Sequence, residues 1–167
     1  MKKYITAVAM ILVLSSGSLK AQVSAEQRAK DVETIDNVIE ALYASISGEK
    51  GEERDWERFR NLMIPEAQLI PTGVNSEGKN VYQVMSPEQF IEVANSSFIE
   101  DGFYEYELVV HAFSTYASKR SKSDAEPFNK GINSIQLFND GERWWVVSIY
   151  WAHESEANPI PEKYSGM

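Results

Sequence analysis

The chain contains no cysteine. No disulfide can staple it, and no thiolate is available as a nucleophile or metal ligand. Histidine is scarce too, with only two residues, His111 and His153. Two imidazoles and no thiol make a poor zinc site, so no metal is expected and no cofactor is indicated. Basic residues are short in number: 16 Lys and Arg stand against 25 Asp and Glu, a net charge of −9. An acidic surface repels nucleic acid and anionic membranes, so neither is an expected partner. The one long apolar run, residues 4–14, is too short to cross a bilayer as a helix.

That run lies behind Lys2 and Lys3 and ahead of the small, polar stretch 15–21. Basic, apolar and small-residue regions in that order predict a secretory signal peptide over residues 1–21. The expected location is therefore exported, periplasmic or secreted, with no membrane span after cleavage. Cleavage would remove Lys2, Lys3 and Lys20 and no acid. The basic count falls from 16 to 13 against 25 acids, and the net charge becomes −12. Residues 22–164 are expected to form one domain, held by packing alone, and 154–167 an extended tail in which Pro159 and Pro161 disfavour helix.

Three helices are predicted ahead of most of the strands. Val32, Ile35, Val38, Ile39, Leu42, Tyr43 and Ile46 recur at helical spacing, and Ser47-Gly48 ends that stripe. Asp55 can cap a short second helix with Trp56, Phe59, Leu62 and Met63 on its apolar face, which Pro65 stops. Residues 68–71 and 81–85 read as a small hairpin. Ser86-Pro87-Glu88-Gln89 supplies a capping box for a third helix, closed by Asp101-Gly102. From Phe103 the period becomes two, and residues 103–119 are one long bent strand or two strands joined by an unannounced kink. The pattern is α+β, with helices on one face of an antiparallel sheet.

Asp140-Gly141 lies between two apolar, β-branched and aromatic runs and predicts a two-residue hairpin turn. Counting outward pairs Leu137 with Trp144, Ile135 with Val146, Asn133 with Ser148 and Gly131 with Tyr150. One face then turns from apolar to polar at Asn133, Ser148 and Tyr150. Those three either line a pocket or satisfy one another in the core. The other face, with Ile132, Trp145, Val147, Ile149 and Trp151, is too apolar for water. Either the C-terminal tail folds over it or a second copy covers it; a homodimer is the expectation.

The runs GINSIQL, RWWVVSIYW, NPIPEKY, SPEQF and HAFSTYAS resemble an exported bacterial branch of the nuclear transport factor two-like superfamily, the SnoaL-like and ketosteroid-isomerase-like group. The likeness extends over residues 33–164. It implies a cone-shaped fold, a curved antiparallel sheet with three helices enclosing a pocket, often dimeric. It implies little about function, because members include isomerases, cyclases, dehydratases and scaffolds. The chain departs from the family where residues 103–108 run almost directly into Val110-His111, so that a hairpin looks shortened or missing.

Proton-transfer chemistry of that group needs a base beside an acidic hydrogen and a donor for the developing oxyanion. The donors on offer are Trp56, Tyr116, Asn133, Ser148 and Tyr150, which are also the expected ligand-pocket residues. His111 and Tyr116 are the catalytic candidates. Alternation sets them on opposite faces, and the plainer reading of His111 is a structural or interface histidine. His153, at a strand end, reads as surface. No carboxylate occupies an apolar strand position in the hairpin, and Asp55 is explained as a cap. The expected function is binding of a small, mostly apolar molecule. An isomerase, dehydratase or cyclase is the first alternative and a structural dimeric interaction module the second.

Overall fold

The structure, a computed structural model, describes residues 23–110 and 114–164. The expected signal peptide and His111 lie outside the described residues. Four α-helices and six strands follow in the order α1 Ala25–Lys30, α2 Ile35–Ile46, α3 Trp56–Leu62, β1 Met63–Val74, β2 Asn80–Tyr82, α4 Pro87–Asp101, β3 Tyr104–Val110, β4 Ser114–Lys119, β5 Asn129–Asn139 and β6 Trp144–His153. The extra helix, α1, is a short stretch capped by Ser24, whose side chain accepts from Gln27 N.

The helix boundaries follow their caps. Thr34 Oγ1 accepts from Asn37 N, so α2 begins at Ile35 and buries Val38, Ala41, Leu42, Tyr43 and Ile46. Asp55 Oδ1 accepts from Arg58 N at 2.9 Å and opens α3. Ser86 and Gln89 form the reciprocal capping box of α4. Gly102, at φ 73°, ends that helix in a conformation open to glycine.

The six strands form one curved, unclosed sheet in the order β2-β1-β6-β5-β4-β3. All neighbours are antiparallel except β1 and β6, which run parallel. The sheet is thus antiparallel as expected but for this one pair. No hairpin joins those two strands, and the long excursion through α4 and β3–β5 leaves their relative direction free. β1 is also longer than the expected 68–71, because it starts immediately after α3. Pro65 falls inside a register shift between Met63 and Gln68, where no ladder hydrogen bond is needed from it. Residues 103–119 resolve into two strands: β3 and β4 pair antiparallel from Tyr104 opposite Lys119 to Val110 opposite Ser114.

The β5–β6 hairpin departs from the sequence reading in a way that matters for function. Asn139 pairs with Trp144, leaving four residues in the turn. Asp140 Oδ1 accepts from the backbone amides of Glu142 and Arg143, each at 2.9 Å, and Asn139 Oδ1 accepts from Gly141 N at 2.8 Å. Those side-chain acceptors hold a wider loop in place of the two-residue turn. Only Gly141 has positive φ in the loop, whereas a tight type I′ turn needs it at both central residues. A bulge at Val147 follows, between Leu137–Val146 and Gln136–Ser148. One extra residue reverses the alternation beyond it. Ile149, Trp151 and His153 therefore face the helices, while Ser148 and Tyr150 face outward.

The core lies between α2, α3 and the inner sheet face, around Val38, Leu42, Phe59, Leu62, Leu69 and Val146. An aromatic cluster continues it toward α4. Trp56 meets Phe59 edge-on at 5.8 Å, and Phe98 stacks on Phe103 at 4.0 Å.

Candidate functional site

The inner sheet face is ordered in cross-strand rows. Glu105, Ser118 and Asn129 form one row across β3, β4 and β5. Tyr116, Gly131 and His153 form the next across β4, β5 and β6. Asn133 and Trp151 follow, then Ile135 and Ile149 beside Leu69 of β1. Polarity falls along these rows from Glu105 to Leu69.

A cavity of about 470 Å³ opens between these rows and α2 and α4. Leu42, Ile46, Phe59 and Leu69 close its deep end. Phe90, Phe98, Phe103, Phe128 and Trp151 supply aromatic wall, and α4 adds Val93, Ala94, Ser97 and Asp101. The polar side consists of Tyr43, Glu105, Ser118, Arg120, Asn129, Asn133 and His153.

His153 is the centre of the polar side. Its Nδ1 lies 2.6 Å from the Tyr116 hydroxyl and 2.7 Å from Asn129 Nδ2. Both neighbours offer hydrogens, so Nδ1 is assigned as an acceptor and the proton of the neutral ring to Nε2. Packing lowers the His153 pKa from its ordinary value, so the ring is neutral at neutral pH. Burial pushes the Tyr116 phenol up, and the Glu105 charge adds to that, so Tyr116 keeps its hydrogen. Gly131 makes the contact possible. A Cβ there would meet the Tyr116 hydroxyl, its Cζ at 2.5 Å and the Ala152 carbonyl. The tyrosine ring crosses the strand over the missing side chain.

The remaining polar groups have partners of their own. Asn133 donates to the Tyr43 hydroxyl at 2.8 Å, and Ser118 Oγ donates to Glu105 Oε2 at 3.0 Å. At the mouth, Arg120 lies 3.8 Å from Asp101 and its guanidinium rests 4.0 Å from the Phe128 ring centre. Among the described residues no three His, Asp or Glu side chains converge as a metal site.

The structure distributes the expected pocket residues unevenly. Asn133 lines the cavity. Tyr116 is fully buried behind His153 and reaches the cavity only through it. Trp56 lies behind the aromatic wall and donates to Asn95 Oδ1 at 2.6 Å. Ser148 and Tyr150 are displaced to the outer face by the Val147 bulge; Ser148 donates to Gln136 and Tyr150 is exposed. The same bulge divides the expected interface. Ile149 and Trp151 turn inward to the cavity, while Ile132, Trp145 and Val147 stay outside. The sequence reading missed Asp101, Glu105 and Asn129; His153 is exposed, as its place at the strand end suggests, and it also lines the cavity. The signal for His153 was the Tyr116–Gly131–His153 row, visible only with the bulge counted.

No protein-family model matches the sequence, and no curated protein matches it. Several solved structures are similar to this chain, among them the following three. An NTF2-like protein of unknown function from Methylobacillus flagellatus superposes with a TM-score of 0.46 at 12% identity, over 82% of this chain and 99% of that one. A candidate ketosteroid isomerase from Kribbella flavida gives 0.42 at 8% identity, over 83% and 85%. An NTF2-like protein of unknown function from Shewanella baltica gives 0.37 at 11% identity, over 78% and 94%.

Proposed function

We propose that this is an exported protein that binds a small, mostly apolar molecule in the cavity between α4 and the inner sheet face, and that it does so as a homodimer. The observation that carries the binding reading is a cavity of about 470 Å³ lined largely by aromatic and aliphatic side chains, with a few polar groups among them. Concave, largely apolar sites with a few convergent polar groups are the common form of small-molecule sites. Export rests on the basic–apolar–small pattern of residues 1–21. The dimer reading rests on the outer sheet face, where Tyr82, Phe138 and Tyr150 are exposed beside Ile132 and Trp145. The tail reaches the same face beside Ile132, where Thr115 Oγ1 donates to the Tyr164 carbonyl at 2.7 Å, and leaves Tyr82, Phe138 and Tyr150 exposed.

Binding is tested with the uncharged dye N-phenyl-1-naphthylamine, whose fluorescence rises in apolar surroundings. Titration should saturate, and Val93→Trp, an exposed substitution at the cavity wall, should weaken it at least about tenfold by filling space. Dye binding unchanged in that variant would place the site elsewhere. Sedimentation showing only monomer across micromolar concentrations would remove the dimer.

One observation favours a second reading, an isomerase, dehydratase or cyclase. The Tyr116–His153 contact and the Glu105 and Asp101 carboxylates bring acid–base groups to the same cavity. Turnover of a substrate that survived both His153→Gln and Glu105→Gln would exclude these groups from it.

A further inference from the structure

The polar side of the cavity has one ring nitrogen left to meet a ligand. Tyr116 and Asn129 both take Nδ1 of His153, at 2.6 and 2.7 Å. His153 is exposed yet lines the cavity, and Nε2 is the nitrogen those contacts leave for an occupant. With Nδ1 accepting, Nε2 carries hydrogen and acts as a donor. Several other polar groups of the lining are committed elsewhere. Asn133 donates to Tyr43, Ser118 donates to Glu105, and Asp101 faces Arg120.

We infer that His153 Nε2–H recognises an uncharged acceptor oxygen, such as that of an ester, ether or amide, at the end of an otherwise apolar ligand. The inference rests on the binding reading above and specifies its ligand class. Three features of the cavity select that class. A donor that cannot also accept at the same atom discriminates against ammonium groups, which offer no lone pair. Glu105 and Asp101 place negative charge on the cavity wall, against only one cation, Arg120, which discriminates against carboxylates and phosphates. The aromatic and aliphatic remainder favours an apolar body. Tyr116 is in this scheme a positioning residue: it holds the imidazole in the donor tautomer and touches no ligand. Gly131 in turn allows Tyr116 to reach.

The test uses four probes of one shape on the full chain: methyl 2-naphthoate, 2-naphthoate, 2-naphthylmethylamine and 2-ethylnaphthalene. Affinities are read by displacement of N-phenyl-1-naphthylamine. The ester should bind about fivefold or more tighter than the hydrocarbon, the weight of one net hydrogen bond. His153→Phe should erase that margin while hydrocarbon binding persists. Should the variant fail to fold, nitrogen-15 spectra of the wild-type histidines decide: Nε2 must carry the hydrogen, and its shift must respond to the ester and not to the hydrocarbon. Equal affinity for ester and hydrocarbon, tightest binding of the carboxylate or the amine, or an Nδ1–H tautomer would each overturn the inference while leaving the binding reading intact. Failure of all four probes and of the dye would overturn both.

Discussion

The Tyr116 hydroxyl lies 2.6 Å from His153 Nδ1 although two strand widths separate the residues, because Gly131 between them has no side chain. A tyrosine on β4 thereby sets the chemistry of a histidine on β6. The relation is steric before it is electrostatic, and it gives the most direct test of the site.

Gly131→Ala should be destabilising by about 1–3 kcal/mol, the usual penalty for forcing a methyl into a filled site. The added Cβ would meet the Tyr116 ring and the Ala152 carbonyl, and backbone cannot retreat as a side-chain tip can. Tyr116→Phe should not rescue it, because Cζ at 2.5 Å and the carbonyl both remain. Urea denaturation of the single and double variants checks this. A neutral Gly131→Ala would mean that Tyr116 does not lie over Gly131.

The α+β class was legible because its signals are local. The Ser86–Gln89 capping box, the Asp55 cap and the Val32–Ile46 stripe each act within a few residues. The site was not, and the reason is parity. A strand's facing depends on every residue between it and its turn. Asn139 and Asp140 widened the turn by two residues, which preserves facing. Val147 added one more, which reverses it for Ile149, Trp151 and His153. Asp-Gly was a true turn signal with the wrong loop length. Glu105 and Asp101 escaped notice for another reason. Asp101 ends α4 and Glu105 follows four residues later in β3, and only the tertiary placement of that turn puts both on the cavity wall.

Arg54 is 5% exposed and joins two helix ends. Its guanidinium donates to the Gly48 carbonyl at 2.9 Å, the Glu52 carbonyl at 2.6 Å and the Phe98 carbonyl. Burial pulls its pKa down from the ordinary value, against the charges of Glu52, Tyr104 and Glu49. A lysine cannot reproduce three planar donations from one head group. Arg54→Lys should therefore cost about 2–3 kcal/mol, the range for hydrogen bonds to a charged group. Because Phe98 belongs to the cavity wall, dye affinity should fall along with the melting temperature. A variant as stable as wild type would show that water satisfies those carbonyls equally well.

Asp31 and Arg58 form a bidentate pair, with both contacts at 2.8 Å and Asp31 only 2% exposed. Gln27 donates to the same carboxylate. Burial pushes the Asp31 pKa up, but the hydrogen bonds from Arg58 and Gln27 and the Arg58 charge together carry it below the ordinary value of 3.8. A depressed folded-state pKa stabilises the fold above the unfolded value. The contribution is complete at neutral pH and is lost as pH falls below about 3.8 and through the folded pKa. Asp31→Asn should cost about 3 kcal/mol at pH 7, since it strands Arg58. Its penalty should shrink in acid, which a urea series at stepped pH measures. A penalty independent of pH would assign the effect to packing alone.

Asp140 holds the wide turn from which β6 sets out, and its titration reports whether that turn is closed by these side-chain contacts. The carboxylate is solvent-exposed, yet its pKa is lowered to about 2. The largest cause is the Trp145 indole N–H at 2.7 Å, followed by the Arg143 and Glu142 amides. Arg143 stacks over the same indole at 3.6 Å from the ring centre. The sign is that of a carboxylate preferred in its charged form: its support for the turn is present at neutral pH and fades as pH drops toward 2. Carbon-13 titration of Asp140 should give a midpoint near 2, and the Trp145 indole proton should move with the same midpoint. Trp145→Phe should raise that midpoint toward the ordinary carboxylate range, because it removes the first cause and leaves the two amides. An unchanged midpoint would mean that the backbone amides alone hold the carboxylate. The four-residue loop, the bulge and the inward face of β6 would then stand without Trp145.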